Sequence, residues 1–152
     1  MKKVLSTNLV DLLSLNENEA VQYASKLNPQ RVGELQKSMK LNELAKECAR
    51  ILAKNLIARI DLHATAYAGT FTKNEETIVP ALKVSVKRIT GAGDVWNAAN
   101  LYADANEFSD ELRLTFANTV AAYYISNQRA EHPTLRQLKN FIQTTNSKAP
   151  EK

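Results

Sequence analysis

The sequence predicts an α/β protein, a layered sheet flanked by helices. Three observations carry that prediction. Extended and helical segments alternate through the first 86 residues, the order of a sheet covered by helices. Beyond residue 95 the pattern is helical almost to the end. The chain has 152 residues, 44% hydrophobic and 24% charged, enough for one domain with a real core.

Taken in order, Leu9–Leu15 (LVDLLSL) is short and apolar and stops at Asn16. It reads as a buried strand, with a helical turn as the alternative. Glu17–Leu27 is helical in composition and opens with acids, which the positive end of the helix dipole favours. Asn28-Pro29 breaks it. Leu41–Ile57 places Leu41, Leu44, Ala45, Cys48, Ile51 and Leu52 at helical spacing. Ala58–Ala64 is a strand. It leads through Tyr67–Phe71 and the polar turn at 73–76 into Thr77–Val86, two extended segments joined as a hairpin. Val95–Asn106 and Phe108–Gln128 are helices. Pro133-Thr134 opens a last helix to about Gln143, proline marking the boundary and threonine the cap. The organisation expected is one domain over 1–145 and a disordered polar tail over 146–152.

Charge and cysteine usage exclude several classes of function. The net charge of +4 comes from scattered basic residues, not a stripe, which argues against a nucleic-acid binder and leaves anionic small molecules. The single cysteine rules out an internal disulfide or a cysteine zinc cluster, and Cys48 reads as a small half-buried helix residue. The opening MKKVLSTNLVDLLSL is faintly like a signal peptide, but Asn8 and Asp11 interrupt the apolar run and no cleavage site follows. No segment reaches transmembrane length without charges. The expected location is the cytoplasm, with no membrane partner.

The chemistry concentrates in Arg88–Asn100 (RITGAGDVWNAAN). Two of the chain's four glycines stand here, one residue apart, before an acid and a helix. Glycines at 91 and 93 with alanine between them leave almost no side-chain bulk. Main-chain N–H groups can then approach a ligand, and the helix adds its positive end. Asp94, in the first turn, is favoured as a carboxylate. The stretch is neither a Walker A loop, since no Gly-Lys-Ser/Thr closes it, nor a dinucleotide fingerprint, since a third glycine is missing. A tight left-handed turn with Asp94 as a cap is the structural alternative.

Thr90-Gly91-Ala92-Gly93-Asp94, with an aromatic, a small polar residue and alanines after it, resembles the signature of the ribokinase-like (PfkB) carbohydrate and nucleoside kinases. Further segments share the likeness in order and rough spacing. Ile78–Val84 (IVPALKV) resembles the Val-Pro segment leading into the motif, and Phe116–Ala130 the alanine-rich helix after it. Thr134–Ile142 resembles the closing helix, and Asn16 with Glu19 (NENE) the Asn-x-x-Glu motif at a strand end. The likeness runs from about Leu9 to the end of the chain.

That resemblance implies a phosphotransferase moving a phosphoryl group from a nucleotide, usually ATP with ADP left open, to a hydroxyl of a sugar or nucleoside. It assigns Asp94 as the base and Thr90, Gly91, Ala92 and Gly93 as the phosphate-binding turn. Asn118, with Ala121, would line the adenine side, and Asn16 and Glu19 would organise Mg²⁺ through its waters. Asn-x-x-Glu before a helix is equally a capping box, and both readings can hold together.

Three departures stand out. Arg88-Ile89 replaces a frequent Asp-Thr, and Arg88 either contacts phosphate or is solvated. Leu62–Tyr67 (LHATAY) lacks two glycines usual at that strand end, leaving His63 as a substitute contact or a structural residue. Arg129-Ala130 stands where Gly-Ala is common. Members of the family are considerably longer. The resemblance therefore covers their C-terminal, nucleotide-side half, with the N-terminal half and lid absent, as in a fragment, a split gene or a truncated frame. Self-association, or a partner chain carrying the other half, is expected. The competing reading is a non-catalytic nucleotide-binding or interaction domain.

Overall fold

A computed structural model describes residues 2–5, 7–129 and 131–146, the side chains of residues 2, 3, 145 and 146 excepted. Ala130, and the expected tail beyond Asn146, lie outside the described residues. The chain divides into two compact units, Met1–Pro80 and Ala81–Lys152.

In the first unit a short helix α1 (Lys2–Leu5) precedes β1 (Leu12–Leu15), α2 (Glu17–Leu27), α3 (Pro29–Gln36), α4 (Leu41–Asn55), β2 (Arg59–His63), β3 (Tyr67–Phe71) and β4 (Glu76–Pro80). The sheet order is β1-β2-β3-β4. β1 and β2 are parallel, with Leu15 opposite Leu62, and α2–α4 form the crossover that parallel strands require. β2–β3 and β3–β4 are antiparallel, so the sheet is mixed.

Strand alternation sets the core. Leu15, Ile60, Leu62, Tyr67 and Phe71 form one buried cluster with Ala20, Ala24, Leu44, Ala45, Cys48 and Leu52 of α2 and α4. Cys48 is fully buried rather than half-buried, and burial pushes its thiol up to about 11, which makes it unreactive. The opposite register of β2 and β3 carries Asp61, which is buried. Its Oδ1 accepts from Thr70 Oγ1 at 2.6 Å, and Arg59 pairs with it at 3.3 Å. Arg50 on α4 donates to both carboxylate oxygens of Glu76 on β4, each at 2.7 Å. Those bonds hold the Glu76 carboxyl below its usual range.

The elements shift from expectation in readable ways. β1 starts at Leu12, because Leu9 lies in a turn, 83% exposed. Asn28-Pro29 ends α2 but also starts α3, with Pro29 in its first turn and the Asn28 side chain accepting from Arg31 N–H at 3.2 Å. Asparagine followed by proline is a helix-start pattern as much as a break. β4 ends at Pro80, and 81–89 is irregular, so the second arm of the hairpin is shorter than Thr77–Val86.

The second unit holds α5 (Ala92–Ala105), α6 (Asp110–Ser126) and α7 (Leu135–Asn146). α5 starts three residues before the expected Val95, which puts Gly93 and Asp94 inside its first turn. α5 and α6 pack through Val95, Trp96, Ala99 and Ala103 on one side and Leu114, Ala117 and Val120 on the other, all buried. Small residues on both helices allow close approach. Arg113 of α6 is also fully buried. Its guanidinium donates to Asn100 Oδ1 at 2.6 Å and Asp110 Oδ1 at 2.8 Å. Among the described residues no helix is long and apolar enough to cross a membrane.

Candidate functional site

Gly91 is the cap of α5 and sits in the left-handed region at φ +83°, where glycine carries no Cβ penalty. Its carbonyl accepts the first helical bond, from Val95 N–H at 3.0 Å. The turn is tight enough that Ala92 N–H already bonds Ile89 O at 3.1 Å. Ala92 is therefore a correction to the expected cradle, since its amide is consumed internally. The N–H groups of Gly93 and Asp94 have no acceptor among the described residues. Asp94 is exposed and makes no ion pair there. Two open amides at the positive end of a helix, with a solvated carboxylate beside them, form an arrangement able to receive an anion.

Thr90 is exposed, and its carbonyl accepts from Tyr124 Oη at 3.3 Å. Tyr124 is a residue that sequence reasoning missed, although the Tyr123-Tyr124 pair in an alanine-rich helix was a visible signal. Its ring carries the Arg88 guanidinium 5.3 Å from the centroid and lies 5.6 Å from the His132 ring. His132 lines a cleft of about 230 Å³ with Val95, Ala99, Tyr102, Phe116 and Val120. Val95 follows Asp94 directly, so the cleft and the turn share the start of α5.

Asn118, expected on the adenine side, lies on α6 facing α5. It is 7% exposed, and its Oδ1 accepts from Trp96 Nε1 at 2.9 Å. A buried indole N–H needs such a partner, so Asn118 fastens α5 to α6. Ala121 is half-buried on the same helix.

Asn16 and Glu19 belong to the first unit and satisfy each other. Asn16 N–H donates to Glu19 Oε2 at 2.8 Å, and Glu19 N–H donates to Asn16 Oδ1 at 3.0 Å. This is a complete capping box at the start of α2. Among the described residues no group of three or more His, Cys, Asp or Glu could hold a metal ion. The donor set of Asn16 and Glu19 does not by itself fit direct magnesium ligation, and no chemical step below runs through a metal.

Where the two usual glycines are missing, Thr65 N–H is bound by Glu17 Oε1 at 2.7 Å and Ala64 N–H by Tyr67 O at 2.9 Å. These amides are closed to a ligand. His63, half-buried at the end of β2, has its pKa lowered by burial against the opposing pull of Glu19, Glu17 and Asp61.

The architecture is that of the ribokinase-type kinases. Ribokinase from Thermotoga maritima superposes with a TM-score of 0.68 at 20% identity, over 94% of this chain and 45% of that one. Ribokinase from Arabidopsis thaliana, solved with ribose and ATP, gives 0.67 at 18% identity, over 94% and 43%. Adenosine kinase from Sinorhizobium meliloti gives 0.66 at 18% identity, over 93% and 38%. The pfkB family carbohydrate kinase pattern matches residues 1–137, and the chain belongs to that family. No curated protein matches it. The chain spans less than half the length of the solved structures it resembles.

Proposed function

We propose that this chain is the nucleotide-side portion of a phosphotransferase, with the start of α5 as its phosphoryl site. The observation that carries this reading is the pair of open amides at Gly93 and Asp94 beside an exposed carboxylate. The phosphoryl group passed from ATP or ADP to a sugar or nucleoside hydroxyl rests on those amides. The acceptor oxygen bonds to phosphorus, the bond to the bridging oxygen of the nucleotide breaks, and the shortened nucleotide leaves. The hydroxyl proton goes to Asp94. A carboxylate is a weak base, which suffices when the proton moves late in a loose transition state. Mg²⁺ would neutralise phosphate charge in such a reaction, with the Glu19 carboxylate as the group that would meet its waters. A second copy or a partner chain supplies acceptor contacts, with the outer strand β1 as the edge available to extend the sheet.

Thermal shift with ATP and with ADP, with and without Mg²⁺, tests the reading alongside transfer to a panel of sugars and nucleosides. Asp94→Asn should keep nucleotide binding and lower transfer about 10²–10⁴-fold, the usual span for a general base. A wild-type chain with no response to either nucleotide overturns the proposal.

A second reading, a non-catalytic nucleotide-binding or interaction domain, is favoured by one observation. Asn16 Oδ1 and Glu19 Oε2 are engaged in a helix cap. Under it, nucleotide binds and no transfer occurs with any acceptor.

A further inference from the structure

Arg88 stands at a position where the family pattern more often carries an acid, and its surroundings differ from those of a solvated arginine. Its main-chain N–H donates to Ile125 O at 3.2 Å, and Lys87 N–H donates to the same carbonyl at 2.7 Å. The segment entering the glycine turn is thereby pinned to the end of α6. The guanidinium lies over the ring of Tyr124, whose hydroxyl reaches Thr90 O and whose oxygen crowds Gly91. Arg88 and the cap of α5 thus lean on the same side chain.

The charge is not answered from within. Arg88 is half-buried; among the described residues its buried Nε has no hydrogen-bond partner and no carboxylate pairs with the guanidinium. A buried donor without an acceptor is unfavourable. A cation near a helix N-terminus opposes the helix dipole rather than complementing it. The aromatic face offsets part of this, yet it adds no negative charge. The open amides at the start of α5 and the unpaired guanidinium over Tyr124 are of the same sign, and an anion compensates both. Guanidinium geometry matches two oxygens of a phosphate, which a lysine ammonium cannot do.

We infer that Arg88, held on the ring of Tyr124, is a phosphate-binding residue that works together with the Gly93 and Asp94 amides. The inference rests on the phosphoryl-site reading above and adds a side-chain anchor to it. The shared chemistry is phosphate, carried on a nucleotide or free.

The test titrates wild type, Arg88→Gln and Arg88→Lys with ATP and, separately, inorganic phosphate, at several salt concentrations. Melting curves of the unliganded variants check folding. Arg88→Gln should weaken phosphate-containing ligands about 10–100-fold, in line with loss of a charge-assisted pair, and its affinity should depend less steeply on salt. Arg88→Lys should keep the salt dependence and lose part of the affinity. A loss confined to ATP assigns the residue to the nucleotide, and a loss shared by inorganic phosphate assigns it to phosphate in general. Equal binding and equal salt dependence in wild type and Arg88→Gln overturn the inference while leaving the phosphoryl site standing. Weaker binding with an unchanged salt dependence also overturns it, because a merely structural arginine would give that result. If wild type binds neither ligand, both proposals fall.

Discussion

The hydroxyl oxygen of Tyr124 lies 2.8 Å from the point where a Cβ on Gly91 would stand. The same hydroxyl reaches the carbonyl of Thr90 at 3.3 Å. The glycine turn is therefore shaped from two directions, by its own left-handed backbone and by an aromatic residue of α6. Gly91 is required there on both grounds.

Gly91→Ala separates the two. Alanine at φ +83° costs about 1–2 kcal/mol in backbone strain, and the clash with Tyr124 adds to it. The expected total is about 2–3 kcal/mol, within the range for strain at a special backbone position. In a Tyr124→Phe background the hydroxyl is gone and the loss should shrink towards the backbone term alone. Urea unfolding of the two singles and the double measures this. Identical losses in both backgrounds would show that the hydroxyl is no obstacle.

Arg113 should be the costliest charged residue to remove from the second unit. It is buried, with Asn100 and Asp110 at 2.6 and 2.8 Å. Arg113→Met leaves buried Asn100 without that donor, while Asp110 is half-exposed and regains water. The expected loss is about 2–4 kcal/mol, below the full figure for breaking an enclosed pair. Adding Asn100→Leu should recover part of it, which a double-mutant cycle reads directly. A loss under about 0.5 kcal/mol, typical of an ordinary surface position, would contradict the buried network.

His63 gives a pH signature. Burial lowers its folded-state pKa below the ordinary value. The folded chain then binds the proton less readily than the unfolded chain does. This contribution to stability is complete above about pH 6.5, the unfolded value, and is lost as the pH falls from there towards the folded pKa. Denaturant midpoints of wild type should therefore decline as the pH is lowered through this window, and those of His63→Gln should decline less. Parallel curves would mean that His63 does not titrate differently on folding.

How much of this was legible beforehand differs from residue to residue. Glu17–Leu27 and the strand at Tyr67–Phe71 match the expected spans, because acidic starts, apolar spacing and a polar turn are local signals. α3 was hidden because Asn28-Pro29 ends one helix and caps the next, and only the Asn28 to Arg31 bond shows which role applies. The bare turn at Gly91 and Gly93 ahead of a helix was legible from residue size alone. The closed amide of Ala92 was not, since it follows from the tightness of the turn. Tyr124 and Arg113 depend on which helix faces meet. Asn118 was placed on the ligand side by resemblance, and its bond to the Trp96 indole could not be read locally, since the partner stands 22 positions away.

The last prediction divides the two roles carried by Asn16 and Glu19. Their reciprocal bonds at 2.8 and 3.0 Å cap α2. Asn16→Ala removes one arm and should cost about 1 kcal/mol, the usual loss for such a cap. Glu19→Gln keeps an oxygen able to accept from Asn16 N–H, since glutamine serves the third position of a capping box as well as glutamate does. Its stability should therefore stay within about 0.5 kcal/mol of wild type, while its charge is gone. Any role in holding Mg²⁺ through water depends on that charge. If Glu19 serves only as a cap, Mg²⁺ will shift the ATP response of Glu19→Gln and wild type equally. A metal role would instead make ATP binding by Glu19→Gln less sensitive to Mg²⁺ at unchanged stability. Melting temperature without ligand and ATP affinity across a Mg²⁺ series, measured on the same preparations, decide between the two.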